Sequence, residues 1–415
     1  MKDQILSNLD NPGQLERLYR TDKPTFKRVF NALYPELTNN TLAGFWNERL
    51  NFAREEISRS TGKELVFVII ASLLAGVIAK LPAFLHIDEE FFYQRNIGFI
   101  IFPLLTSYFA WKNKLSTRKI AFVAGTTLVG LIFINSLPNA RQSDTLILSC
   151  VHLLLLLWSI LGFAFVGEIK NNDEKRLNFL KCNGDMVVIT TLIVIAGAIL
   201  SGITIGLFSL IGFNIETFYR ENVIIFALPA VPIAGTYLTQ INPQLVGKVS
   251  PVIAKIFSPL VLVMLLIYLV AMVYSGKNPY NDREFLLIFN ALLIGVMAII
   301  FFSVAETSRT TNKSLTEIWV LFLLSVVTII VNGIALSAIL FRIAEWGITP
   351  NRAAVLGGNV LILINLLLVT VQLFRAVTKK ANITGVGKAI SFYLPIYFLW
   401  TIIVTFIFPL LFGFK

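Results

Sequence analysis

From residue 65 onward the chain alternates long apolar runs with short polar breaks. A helix needs about 20 mostly apolar residues to cross a bilayer. The runs that meet or approach this length are 65–84, 96–111, 119–137, 145–166, 186–211, 222–239, 252–274, 284–305, 315–341, 353–373 and 390–411. The second and sixth are the shortest. The pattern predicts an all-α, polytopic transmembrane helix bundle of about 11 spans, within a range of 10–12. Residues 1–64 read differently, as a small helical head preceding the transmembrane helical domain at 65–415. Asn11-Pro12 opens one helix, with Leu15, Leu18 and Tyr19 on one face. After Pro24, the residues Phe26, Val29, Phe30 and Leu33 form a second apolar stripe, which Pro35 ends. A third helix runs from about Thr41 with Leu42, Phe45, Trp46 and Leu50 aligned.

Composition agrees with a membrane class. The 415 residues are 56% hydrophobic and only 14% charged, against about 25% charged in ordinary soluble domains. The net charge of +11 raises nucleic acid as a partner, but no basic stripe is interleaved with aromatics, so none is expected. Two cysteines, Cys150 in an apolar run and Cys182 in a polar stretch, do not make a disulfide framework. No signal peptide is expected in the mixed-charge first 64 residues, so the first span acts as its own insertion signal.

Lys and Arg are distributed unevenly between alternate loops. The loops 112–118, 167–185, 240–251, 306–314 and 374–389 hold fourteen, and the opposite set holds seven. The positive-inside rule then puts the head in the cytoplasm and the C-terminus outside, in a multi-pass arrangement. Head charges nearly cancel, ten Lys/Arg against nine Asp/Glu, which argues against lipid seeking by a polybasic head and leaves the head available to a protein partner.

Candidate chemistry is sparse. His152 stands alone inside the spans, and Lys80 near a span end can snorkel. The interior therefore reads as nearly free of charge, which disfavours an ion-driven pump. Asn135, Asn290, Asn332, Asn359, Asn365 and Gln372 supply mid-span polarity, most of it in the eighth to tenth spans, a polar seam suited to interhelical hydrogen bonds. Ala198, Gly202 and Gly206 form a small-residue ridge that admits a close neighbour. Pro229 and Pro232 interrupt the sixth span, either as a kink or as a break that shapes a cavity. Ser314 and Glu317 fit a capping box opening the ninth helix, and Thr349-Pro350 an N-cap opening the tenth.

Arg352 falls in the first turn of that tenth helix, where a cation opposes the helix dipole. It calls for a partner: Asp282, Glu345, a lipid phosphate or an anionic substrate. Arg342 at the end of the ninth span could join it, giving either a structural ion pair or an anion site. Asp88, Glu89 and Glu90 in the first outer loop form an acidic cluster of the kind that lipid-linked glycosyltransferases use. No spacing supports a metal, and no cofactor is implied. The signatures of metalloproteases, serine hydrolases, P-loop ATPases and dinucleotide enzymes are absent.

The stretch from Arg342 to Arg352, with Gly347-Ile348-Thr349 and Arg352 in a Gly-[Ile/Leu]-Thr-x-x-Arg pattern, resembles a bacterial multispan membrane family, domain of unknown function 4153. The head segments Leu18-Tyr19-Arg20 and Phe45-Trp46-Asn47-Glu48-Arg49-Leu50 look like heads of similar bacterial proteins. The resemblance implies a location in the inner membrane and brings no activity. The leading expectation is a non-enzymatic membrane protein that binds or translocates a lipid or a small anionic or amphipathic molecule. Its site would be formed by Arg342, Arg352, Asp282 and Glu345, with Pro229 and Pro232 shaping the cavity. The alternatives are a scaffold for envelope assembly acting through the head, and a lipid-linked-substrate transferase using Asp88, Glu89 or Glu90.

Overall fold

The computed structural model describes residues 1–37, 40–51, 54–139, 143–168, 172–210, 213–274, 280, 283–307, 315–378 and 382–414. The chain divides into two compact units, Met1–Ile69 and Ile70–Lys415, and among the described residues all regular structure is helical.

In the first unit, α1 (Pro12–Thr21), α2 (Lys23–Leu33) and α3 (Thr41–Asn51) follow the three apolar stripes. Each begins on a side-chain cap that satisfies an orphan N–H. Asn11 accepts from the Gln14 amide at 3.2 Å, Asp22 from Thr25 at 3.1 Å and Asn40 from Ala43 at 2.9 Å. The Thr25 N–H holds the Asp22 carboxyl below the usual carboxylate range. Leu15, Phe26, Phe30, Leu33, Trp46 and Leu50 are buried together, with Tyr19 packed edge-on against Phe26 and Trp46. Glu16 pairs with both Arg20 and Arg49 at 2.8 Å, and its hydrogen bond from Arg20 lowers its pKa.

The remaining long helices are α4 (Arg54–Ala79), α5 (Glu89–Lys112), α6 (Thr117–Ser136), α7 (Asp144–Val166), α8 (Asp173–Leu210), α9 (Ile225–Ile241), α10 (Pro243–Tyr274), α11 (Arg283–Thr307), α12 (Leu315–Trp346), α13 (Pro350–Val377) and α14 (Thr384–Ile402). A π-helical turn, Arg220–Ile224, leads into α9, and another, Ile403–Ile407, continues α14. Each apolar run of the sequence thus lies on a long helix. Among the described residues, nine helices are long and apolar enough to cross a membrane. The two that fall outside this group are α5 and α10, the latter with a shorter apolar stretch at Ala254–Val270. The apolar run of α5 is shortened by Arg95 and Asn96, both buried.

Packing in the second unit centres on Phe289, Leu293, Ile300, Leu324, Val331, Leu366 and Val369 of α11, α12 and α13. The polar seam is present here. Asn332 Nδ2 donates to the Asn359 carbonyl at 3.2 Å, Asn365 Nδ2 to the Tyr397 hydroxyl at 3.1 Å, and Thr370 Oγ1 to Ser325 Oγ at 3.0 Å. Gly184 lets α8 approach α11 closely, since a Cβ there would overlap the Phe302 ring. The expected ridge behaves otherwise. A Cβ on Gly202 or Gly206 would meet nothing within 4 Å, so no described neighbour within the chain occupies that face.

Charged side chains are buried just beyond the expected spans. Lys181 Nζ lies 2.7 Å from Glu306 Oε1, with both side chains largely buried, and Asp185 is buried one turn further along α8. The apolar run of the fifth span begins at residue 186, but α8 starts thirteen residues earlier, at Asp173. Its 38 residues make it about 57 Å long, so charges read as a loop are carried on a helix.

Two prolines set part of the remaining polar bonding. A proline has no N–H for the carbonyl four residues before it, and in an apolar setting that carbonyl needs another donor. Pro395 leaves Ser391 O, which takes Arg176 Nη1 at 3.1 Å. Pro409 leaves Thr405 O, which takes Ser149 Oγ at 2.9 Å. The end of α6 at Ser136 likewise leaves Ile134 O without a helical donor, and it takes Arg95 Nη1 at 2.6 Å. In each case the donor comes from a different helix.

Candidate functional site

Of the residues singled out around the start of α13, Thr349, Arg342 and Arg352 have local partners. Thr349 caps α13 by accepting from the Arg352 amide at 3.3 Å. The Arg352 guanidinium turns back to the end of α12, where Nη1 donates to Trp346 O at 2.8 Å and to Gly347 O at 2.6 Å. The cation that opposes the dipole of α13 thereby sits on the carbonyl end of α12, which favours positive charge. Arg342 and Arg352 both lie over the Trp346 ring, at 5.2 and 5.7 Å, so the structure brings these two arginines together. Glu345 is exposed. Asp282 lies outside the described residues, as does Ser314 of the expected capping box. An open hollow of about 710 Å³ adjoins Thr349 and Pro350, and Asp144 supplies its charged wall.

The acidic cluster begins a helix. Asp88 caps α5 by accepting from the Phe91 amide at 2.7 Å, and Glu89 and Glu90 occupy its first turn, where carboxylates complement the dipole. Pro229 and Pro232 lie inside α9, which continues through both as a helix. His152 Nδ1 is hydrogen-bonded to Leu148 O at 2.9 Å within its own helix.

The most distinctive concave feature is elsewhere. A cavity of about 220 Å³ is bounded by α6, α7, α8 and α14. Its wall is almost wholly apolar and rich in rings, with Phe122 from α6, Trp158 and Phe163 from α7, Phe179 from α8, and Tyr397 and Phe398 from α14. Helical spacing creates this wall: Ser159 and Phe163 are four apart on α7, as Leu394 and Phe398 are on α14. Trp158 is fixed by its indole N–H on Asn183 Oδ1 at 2.9 Å, and Tyr397 by the hydrogen bond from Asn365. Phe122 is 55% exposed and Pro395 is exposed, so the cavity opens sideways, onto the apolar flank of the bundle.

Two charged side chains, Glu168 and Arg176, belong to the cavity wall. Glu168 follows Gly167, which ends α7 with φ of 78°, a left-handed conformation suited to glycine. The carbonyls closing α7 are held from outside by Asn113 Nδ2, on Ala164 O and Phe165 O at 3.2 and 2.9 Å, and by Lys119 Nζ on Gly167 O. Arg176, in the opening turns of α8, is anchored on the Ser391 carbonyl that Pro395 leaves without its helical donor. Ser391 Oγ in turn donates to Asp173 O at 2.9 Å, tying the start of α8 to α14. The arrangement can hold an apolar body with a polar end, because ring faces surround the space and a carboxylate and a guanidinium stand at its margin.

The cavity and the Lys181–Glu306 pair were both missed at the level of sequence. Arg176 and Ser391 are 215 positions apart, and nothing local announces such a meeting. The available signal was Pro395 itself, which requires a donor for Ser391 O from somewhere. No metal-binding group of His, Cys, Asp and Glu is present among the described residues. No protein-family model, curated protein or solved structure matches the chain.

Proposed function

We propose that this multi-pass membrane protein binds a lipid or another amphipathic molecule in the lateral cavity between α6, α7, α8 and α14. The observation that carries this reading is an apolar, ring-lined space of about 220 Å³ that opens on the bundle flank and has Glu168 and Arg176 in its wall. Ligand sites of this kind are mostly apolar, with a few placed polar groups that orient the guest. At about 220 Å³ the cavity is smaller than the roughly 300–1,000 Å³ of a pocket that encloses a whole ligand. That suits one part of a hydrocarbon chain whose remainder stays in the bilayer. The loop-charge asymmetry supports a cytoplasmic mouth, at the opposite end of the spans from Arg342 and Arg352. Native mass spectrometry of the purified protein tests the reading. Ser159→Trp places an indole in the cavity and is expected to remove most co-purifying lipid without loss of helicity by circular dichroism. Lipid retention equal to that of the unmodified chain would sink it.

A further inference from the structure

We infer that the occupant is a zwitterionic phospholipid whose head carries both a phosphate and a free ammonium, the phosphoethanolamine pattern. The inference rests on the cavity being a lipid site. Its basis is the pairing of opposite charges in one apolar wall, Glu168 at the end of α7 and Arg176 at the start of α8.

Each charge has a reason to be where it is. Arg176 is held at the cavity by Ser391 O, and a guanidinium carries five N–H donors in a fork that matches phosphate oxygens. Lys119 is occupied by Gly167 O and is not part of the cavity wall. Glu168 accepts from Asn172 Nδ2 at 3.4 Å, is exposed and belongs to the cavity wall, so its carboxylate is accessible to a donor there.

Head groups differ in what they offer this pair. Phosphoethanolamine gives a phosphate to Arg176 and three N–H donors to Glu168. Phosphocholine has the same net charge but no N–H donor. Phosphoglycerol brings a phosphate with no cation and sets an unbalanced negative charge beside Glu168. The carboxylate thus makes the difference between the three, and the guanidinium is common to all of them.

The experiment uses the full-length chain in nanodiscs containing equal parts of phosphatidylethanolamine, phosphatidylcholine and phosphatidylglycerol, with bound lipid read by native mass spectrometry. The expected result is an enrichment of phosphatidylethanolamine over the other two of about two- to five-fold, the range of a partly exposed ion pair. Glu168→Gln should remove that preference with total bound lipid unchanged. Glu168→Lys should turn the preference toward phosphatidylglycerol. Arg176→Gln should lower binding of all three. Lipid that is lost in Ser159→Trp but shows no head-group preference, or whose preference ignores Glu168, overturns the inference and leaves the lipid-site reading standing. Lipid retention that ignores Ser159→Trp overturns both.

Discussion

Arg176 shows how a single residue can be required by another far away in the chain. The demand is set by Pro395, whose missing N–H leaves Ser391 O for a side chain to satisfy. Arg176→Met is expected to destabilise the protein by about 1–3 kcal/mol, the penalty for stranding a buried acceptor. Pro395→Ala restores a backbone donor to Ser391 O, so the same Arg176→Met change should cost markedly less in that background. Thermal unfolding of the four proteins in detergent closes the cycle, and equal costs in both backgrounds would show that the proline does not set the demand. Local residue chemistry was legible where it stayed within one turn. Asn11 and Thr349 were readable as caps because a cap and its amide are three residues apart. Arg352 was readable as a cation needing a partner, but its partner was not. The carbonyls of Trp346 and Gly347 are backbone groups with no side-chain signature.

At the scale of elements, hydropathy located the helices but not their ends. A helix can extend beyond its apolar stretch where neighbours bury its polar residues, and α8 begins thirteen residues before residue 186. Lys181 and Asp185 therefore looked like loop charges. The Lys181–Glu306 pair joins α8 to α11 at 2.7 Å beside the close approach at Gly184 and Phe302. Glu306 stands in the last turn of α11, where a carboxylate opposes the dipole, and Lys181 answers it. Removing one member leaves a buried charge, so Glu306→Ala or Lys181→Met alone should cost roughly 3–5 kcal/mol. The double replacement Lys181→Met with Glu306→Met should cost clearly less than either single change. Unfolding midpoints compared across the three variants check this, and additive losses would mean that the two side chains act independently.

For the whole molecule, the fold class was legible because a bilayer-crossing helix imposes its length directly on the sequence. The cavity was not, because four helices from distant parts of the chain build it. The orientation expected from loop charges has a direct check at α5, the long helix that carries buried Arg95 and Asn96. With Cys150 and Cys182 replaced, a cysteine at Asp88 should be labelled by an impermeant reagent from outside, and one at Lys114 only after permeabilisation. Labelling of both from one side would show that α5 does not cross.

The three carbonyls served by a side chain of another helix also carry an order in time. Arg95 precedes Ile134, Ser149 precedes Thr405 and Arg176 precedes Ser391 in the chain. Synthesis runs from the N-terminus, so every donor reaches the bilayer before the carbonyl it serves. α14 and the π-helical turn that continues it hold two of these carbonyls, and they enter the membrane after their partners. Without them Ser391 O and Thr405 O would stand unsatisfied in apolar surroundings, so docking of this helix is expected to follow insertion of α7 and α8.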